Sequence, residues 1–203
     1  GGCGGGAGTA WGAWRWMMGG GTERLGGVKN GGVVPMIAAG WPGWIKDCGH
    51  DYAGMIPKLS SCKSPHGMLG AVIKSYDAGR EDLDPNKVVV VSVMPCTAKK
   101  FEAQRPELSN NGLQDVDVVI TTRELARMIK RQGLQYNLLE DEKFDEPLGV
   151  STGAGVIFGA TGGVMEAALR TVADLVAGKA VENGEYKAVR GQKGIQSAPT
   201  RPG

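Results

Sequence analysis

The chain has 203 residues, 23 basic against 21 acidic side chains for a net charge of +2, and 34 glycines, well above the usual share of roughly 7%. That length supports one or two domains with a buried core and needs no disulfide framework. No basic cluster is longer than two residues, as in Lys99-Lys100, which gives no footprint for nucleic acid, and no apolar run approaches the roughly eighteen residues of a membrane span.

The glycines are uneven: residues 1 to 32 hold 14 of the 34. Residues 1 to 22 contain no Leu, Ile, Val, Phe, Glu, Asp or Lys, so no apolar period marks a helix or strand there. Every letter of that stretch is also a nucleotide or nucleotide-ambiguity code. Residues 1–27 therefore read as a Gly-rich segment, either a sequencing or primer artefact or a flexible arm, and residues 28–203 as the domain.

From Gly31 the pattern is that of an α/β protein. Val33 to Ala38 is a short apolar run, and Pro42 to Ala53 predicts a helix with proline in its first turn. Ser64-Pro65 opens a second helix, with Met68, Leu69, Val72, Ile73 and Tyr76 on one face. Lys87 to Met94 is β-branched on both parities, which predicts a strand covered on both faces. Val116 to Ile120 predicts another strand, and Thr121 to Glu124 a capping-box start to a helix carrying Leu125, Met128 and Ile129 and ending at Gly133. An acidic loop covers 137 to 150 and a Gly-rich bend 151 to 163. A helix follows from about Val164 to Val176, and a last strand from Glu185 to Arg190. Strands alternating with helices predict an α/β fold: a mixed or parallel sheet flanked by helices.

Gly153, Gly155 and Gly159 suggest a dinucleotide fingerprint, but the last spacing is one residue too long and no buried strand precedes it. Close backbone approach is the better reading of those glycines. The four cysteines, at 3, 48, 62 and 96, include no C-x-x-C pair, and the start of the chain has no signal-peptide pattern. A reduced, cytoplasmic setting is expected. Cys96 follows Pro95 where a strand turns into a short helix, with Lys99 one turn on. Helix N–H groups and a nearby cation favour a thiolate there; an inert buried thiol is the alternative. Cys62 lies in a polar loop before Ser64, whose plain reading is an N-cap with Pro65 at the first helical position.

The segments VKNGGVVPM, PGWIK, LSSCKSPHGMLGAVIKSY, VVVVSVMPCTAKKFEAQRPEL, DVDVVITTRELARMIK and STGAGVIFGATGGVMEAALRT together resemble the catalytic domain of clostridial-type iron-only (di-iron) hydrogenases over residues 28 to about 196. The resemblance implies that family's partial large-domain fold. It also implies an active-site H-cluster: a 4Fe–4S cubane held by four cysteines and linked through a shared sulfur to a di-iron unit with carbonyl and cyanide ligands. Carried over residue by residue, Cys96 is a metal-binding cubane ligand, Met94 and Pro95 pack on the di-iron unit, and Lys99 donates to a cyanide. Ser64 and Phe158 match further cofactor-pocket positions, Ser60 lies on the proton path, and Glu23 falls where a relay glutamate stands.

The chain also departs from the family. The family's Thr-Ser-Cys-Cys-Pro-x-Trp falls on positions 38 to 44, which read Ala-Ala-Gly-Trp-Pro-Gly-Trp. Gly40 replaces a proton-passing cysteine and Trp41 a cubane ligand. Two further ligands belong to a segment expected beyond Gly203. The implied reaction is 2H⁺ + 2e⁻ ⇌ H₂, with ferredoxin or another small electron carrier and the hydrogenase maturation proteins as partners. The chain as written is expected to be inactive and to bind no cluster. The alternative is a non-catalytic iron–sulfur assembly or sensory relative.

Overall fold

The computed structural model describes residues 19–178 apart from 28, 39, 144, 146, 147, 150–152 and 159–162. The expected strand from Glu185 to Arg190 and Cys3 lie outside the described residues.

Residues 19–27 form helix α1, which corrects, at residues 19–22, the reading of that stretch as free of helix signal. Glu23, Arg24 and Leu25 are good helix formers, and Gly19 and Gly21 serve packing. A Cβ at Gly19 would lie 3.0 Å from the Cys62 sulfur, and one at Gly21 3.6 Å from Val172. Tertiary contact overrides a poor local propensity here.

The run at 33–38 contributes one parallel bridge, Ile37 to Leu59, rather than a strand. Helix α2 (Pro42–Asp51) starts on its proline and buries Cys48, which is 0% exposed. Helix α3 begins at Pro65–Val72, widens into a π-turn at Ile73–Asp77 and continues through Ala78–Arg80. Its buried stripe is Gly67, Gly70, Lys74 and Ala78, whereas Tyr76 of the predicted face is 62% exposed. Gly70 brings the α3 backbone against Asp115 and Val116. Lys63 pairs with Asp115 at 2.6 Å, and Lys74 with Asp117 at 2.7 Å.

Strand β1 (Val91–Met94) leads through Pro95-Cys96 into the short helix α4 (Ala98–Ala103). A hairpin, β2 (Ser109–Asn110) and β3 (Leu113–Gln114), then turns on Asn111 and Gly112, both at positive φ, the left-handed conformations that an Asn-Gly hairpin turn requires. Strand β4 (Val118–Thr121) pairs parallel to β1 in the register Val91 with Val118 and Met94 with Thr121. The expectation that β1 is covered on both faces fails among the described residues. Ser92 is buried, but Val91 and Val118 are about half exposed. The core at the strands is Ala103, Val116 and Val119, with Val90 and Met94 packed against it.

Helix α5 (Thr122–Arg131) opens on the expected capping box. The Thr121 hydroxyl accepts from the Glu124 N–H at 3.2 Å, and Glu124 accepts from the Thr121 N–H at 2.7 Å. Lys100 also reaches Glu124 at 2.7 Å. Replacing Thr121 with alanine is expected to cost about 1 kcal/mol, read as a lower denaturation midpoint with an unchanged slope; an unchanged midpoint would exclude the cap as a contributor. Gly133 ends the helix at a φ of +67°. The chain continues through a loop to α6 (Gly153–Ile157) and α7 (Gly163–Ala177). A Cβ at Gly163 would lie 1.7 Å from the Ile157 carbonyl oxygen, so the Gly-rich bend does make a close backbone approach.

Candidate functional site

Met94, Pro95 and Cys96 stand together at the carboxyl end of β1, and the Cys96 thiol is exposed, which excludes the inert buried reading. Lys99, one helical turn on, is buried. Its ammonium donates to the Gly40 carbonyl oxygen at 2.7 Å and to Glu102 at 3.0 and 2.8 Å. A lysine has three N–H donors, and these three acceptors match them. A bond from Lys99 to any further acceptor would replace one of the three.

Glu102 is the hub of this cluster and is only 4% exposed. Besides Lys99, its Oε1 accepts from the Ser64 hydroxyl and from His66 Nε2 at 2.7 Å. His66 Nδ1 lies 3.0 Å from the Ser92 hydroxyl on β1. Burial pushes the Glu102 carboxyl up, but hydrogen bonds from His66, Lys99 and Ser64 outweigh it and hold the group at about 2. Ser64 therefore turns its side chain to Glu102 and makes no cap bond. Sequence alone singles out neither Glu102 nor His66. The one local signal is the i, i+3 spacing of Lys99 and Glu102 on a helix.

A second cluster joins residues 37 positions apart. The Ser60 hydroxyl donates to Glu23 Oε2, and the Ser61 N–H to Glu23 Oε1 at 2.9 Å. The Cys62 N–H donates to the Ser60 oxygen at 3.2 Å, and its sulfur lies 3.7 Å from Glu23. Burial pushes Glu23 up, yet the bonds from Ser60, Ser61 and Cys62 hold it below the usual carboxylate range. Burial pushes the Cys62 thiol up, and the Glu23 charge adds to the rise. The carboxylate of α1 is thus held ionised as an acceptor while the hydroxyl and thiol of the 60–62 loop stay protonated beside it. Phe158 sits half-buried in the turn after α6.

Among the described residues the donor set does not fit a four-iron cubane. Cys96 is the one exposed thiol at the end of β1, Cys48 is enclosed under α2 with its sulfur toward the Tyr52 carbonyl, and Cys62 belongs to the Glu23 cluster. Gly40 and Trp41 bring no sulfur to the segment that Lys99 ties down. Among the described residues no group of three or more His, Cys, Asp or Glu side chains is placed to hold a metal. No described helix is long and apolar enough to cross a membrane.

A family model described as iron only hydrogenase large subunit, C-terminal domain, matches residues 7–202. Iron hydrogenase 1 of Clostridium pasteurianum is 48% identical over 177 residues, 87% of this chain and 31% of the relative. Cytosolic Fe-S cluster assembly factor narfl of Xenopus tropicalis is 35% identical over 163 residues, 77% of this chain and 34% of the relative. The solved structure of a variant of apo [FeFe]-hydrogenase HydA1 from Chlamydomonas reinhardtii has a TM-score of 0.73 and 42% identity, covering 85% of this chain and 44% of that one. The chain thus spans about a third of the length of the curated relatives it matches.

Proposed function

Since the chain belongs to the iron-only hydrogenase family, as part of the C-terminal domain of its large subunit, we propose that its parent reaction is the interconversion of protons and dihydrogen. Ferredoxin or another small electron carrier is the redox partner in this reading, hydrogenase maturation proteins are the assembly partners, and the compartment is the cytoplasm. The H-cluster is the group such a reaction uses, and among the described residues the donor set does not fit its cubane. We therefore propose that the chain as written does not turn over hydrogen. The observation that carries this is the single thiol at the end of β1, with Gly40 and Trp41 in the segment that Lys99 holds beside it.

What the chain's own residues supply is a proton site. Glu23, Ser60 and Cys62 are in hydrogen-bond contact, and their direct contact supports the relay role that the family resemblance assigns to Glu23 and Ser60. Exposing the chain to the family's maturation proteins and then to reduced methyl viologen is expected to yield no hydrogen above a blank. Clear evolution would overturn the inactive reading.

The second reading, a non-catalytic iron–sulfur assembly or sensory relative, is favoured by one observation, the absence of sulfur at Gly40. The lower identity to the Xenopus assembly factor than to the clostridial enzyme weighs against it. Reading the coding DNA across codons 38–44 separates the two. Adjacent cysteine codons at 40 and 41 would support the enzyme, and genuine Gly and Trp codons the assembly relative.

A further inference from the structure

A cleft between α2 and α4, distinct from the Glu102 and Glu23 clusters, carries a chemistry that neither uses. It has a volume of about 290 Å³ and is lined by Lys46 and His50 of α2, by Arg105 just past α4, and by the apolar Pro42, Ile45 and Phe101. No aspartate or glutamate lines it among the described residues. The acid of α4, Glu102, is turned inward to Lys99 and His66.

The cations are positioned. The Lys46 ammonium lies 5.0 Å from the centre of the Phe101 ring, a cation–π contact that fixes it at the rim. Lys46 and His50 are one turn apart on the same face of α2, their Cβ atoms about 5–6 Å apart. The other cation, Arg105, meets the exposed Glu107 at 3.6 Å, a loose surface pair that an incoming carboxylate can replace. The apolar part is open as well: Phe101 is 50% exposed, and Trp41, directly before Pro42, is 76% exposed.

We propose that this cleft docks an acidic segment of a protein partner, in extended conformation, with carboxylates at alternate positions and an apolar side chain beside them. In an extended segment every second side chain points the same way, at intervals of about 6.6 Å, which matches the step from Lys46 to His50. The cleft, at about 290 Å³, is larger than a single oxyanion fills. Arginine and aromatic side chains side by side are the composition of protein interface cores. A bare ion would leave the apolar Pro42, Ile45 and the exposed part of Phe101 uncovered. This inference does not rest on the hydrogen reading.

The test titrates the full 203-residue chain into a fluorescein-labelled acetyl-Glu-Ser-Glu-Ser-Phe-amide peptide at about 50 mM salt and reads anisotropy. Saturable binding is expected. Lys46→Ala and Arg105→Ala should each weaken it about fivefold, one rim charge pair's worth, and Phe101→Ala should weaken it as well. Raising salt to about 200 mM should weaken it further, because the Debye length shortens. The paired variant Lys46→Glu/Arg105→Glu should lose the acidic peptide and gain acetyl-Lys-Ser-Lys-Ser-Phe-amide. Thermal melts confirm that the variants are folded. Absence of saturable binding, affinity unchanged by both Lys46→Ala and Arg105→Ala, or equal displacement by inorganic phosphate at the peptide's own concentration would each overturn the proposal.

Discussion

Replacing Glu102 with alanine is expected to destabilise the protein by about 3–5 kcal/mol, the range for removing one partner of a buried ion pair. The loss is large because one carboxylate serves three buried donors. Without it the Lys99 ammonium keeps only the Gly40 carbonyl, and the His66 Nε2 proton and the Ser64 hydroxyl lose their acceptor. Chemical denaturation measures the loss; a change below about 0.5 kcal/mol would show that Glu102 is not the hub. The double variant Lys99→Met/Glu102→Leu should recover much of it, since apolar replacement of both partners of a buried pair is often neutral or better. The effect also has a pH signature. The folded-state value of about 2 lies below the ordinary 4.5, so the carboxylate's contribution is complete above about pH 4.5 and is lost as pH falls toward 2. The single variant Glu102→Ala should lack that part of the acid slope.

Replacing Gly70 with alanine is expected to cost about 3 kcal/mol or more, at the upper end of overpacking penalties. An added Cβ would lie 2.1 Å from the Asp115 carbonyl oxygen and 2.8 Å from its carbon. Both atoms are backbone, so no side-chain rotation relieves the overlap, and α3 must move away from residues 114–117. That movement also loosens Lys63–Asp115 and Lys74–Asp117, and each cation of the two pairs comes from α3 or the residues just before it. Gly79, on the same helix with nothing within 4 Å of an added Cβ, is the control. Gly79→Ala should stabilise by about 0.5–1 kcal/mol through helix propensity and a reduced unfolded-state entropy. Equal melting temperatures for the two variants would rule out close backbone contact as the reason for glycine at 70.

Several elements are legible in the sequence because their signals are local. Proline at the start of α2 and α3, the Thr121 to Glu124 capping box and Gly133 beyond α5 each act within one helical turn. The hairpin has a local signal too, in Asn111-Gly112, but the two strands it joins are only two residues each and show no alternation to accompany it. Helix α1 escapes a sequence reading because glycine-rich sequence has little propensity of its own, and its placement rests on contacts with Cys62 and Val172, far along the chain.

Adjacent residues carry the α/β class, the β1 to α4 turn that presents Cys96, and the family, since all three rest on short motifs whose chemistry lies within a few positions. The partners those residues take come from the fold. Lys99 meets Glu102 one turn on, but it also meets the carbonyl of Gly40, 59 positions earlier. Ser64, which reads as a helix cap, crosses to Glu102, and Glu23 meets Ser60 across 37 positions. The same holds for α3: its apolar spacing points to one face, and its glycines bury another. In each case a buried polar or backbone group must be satisfied by whatever the fold brings within about 3 Å, and sequence spacing carries no information about that neighbour.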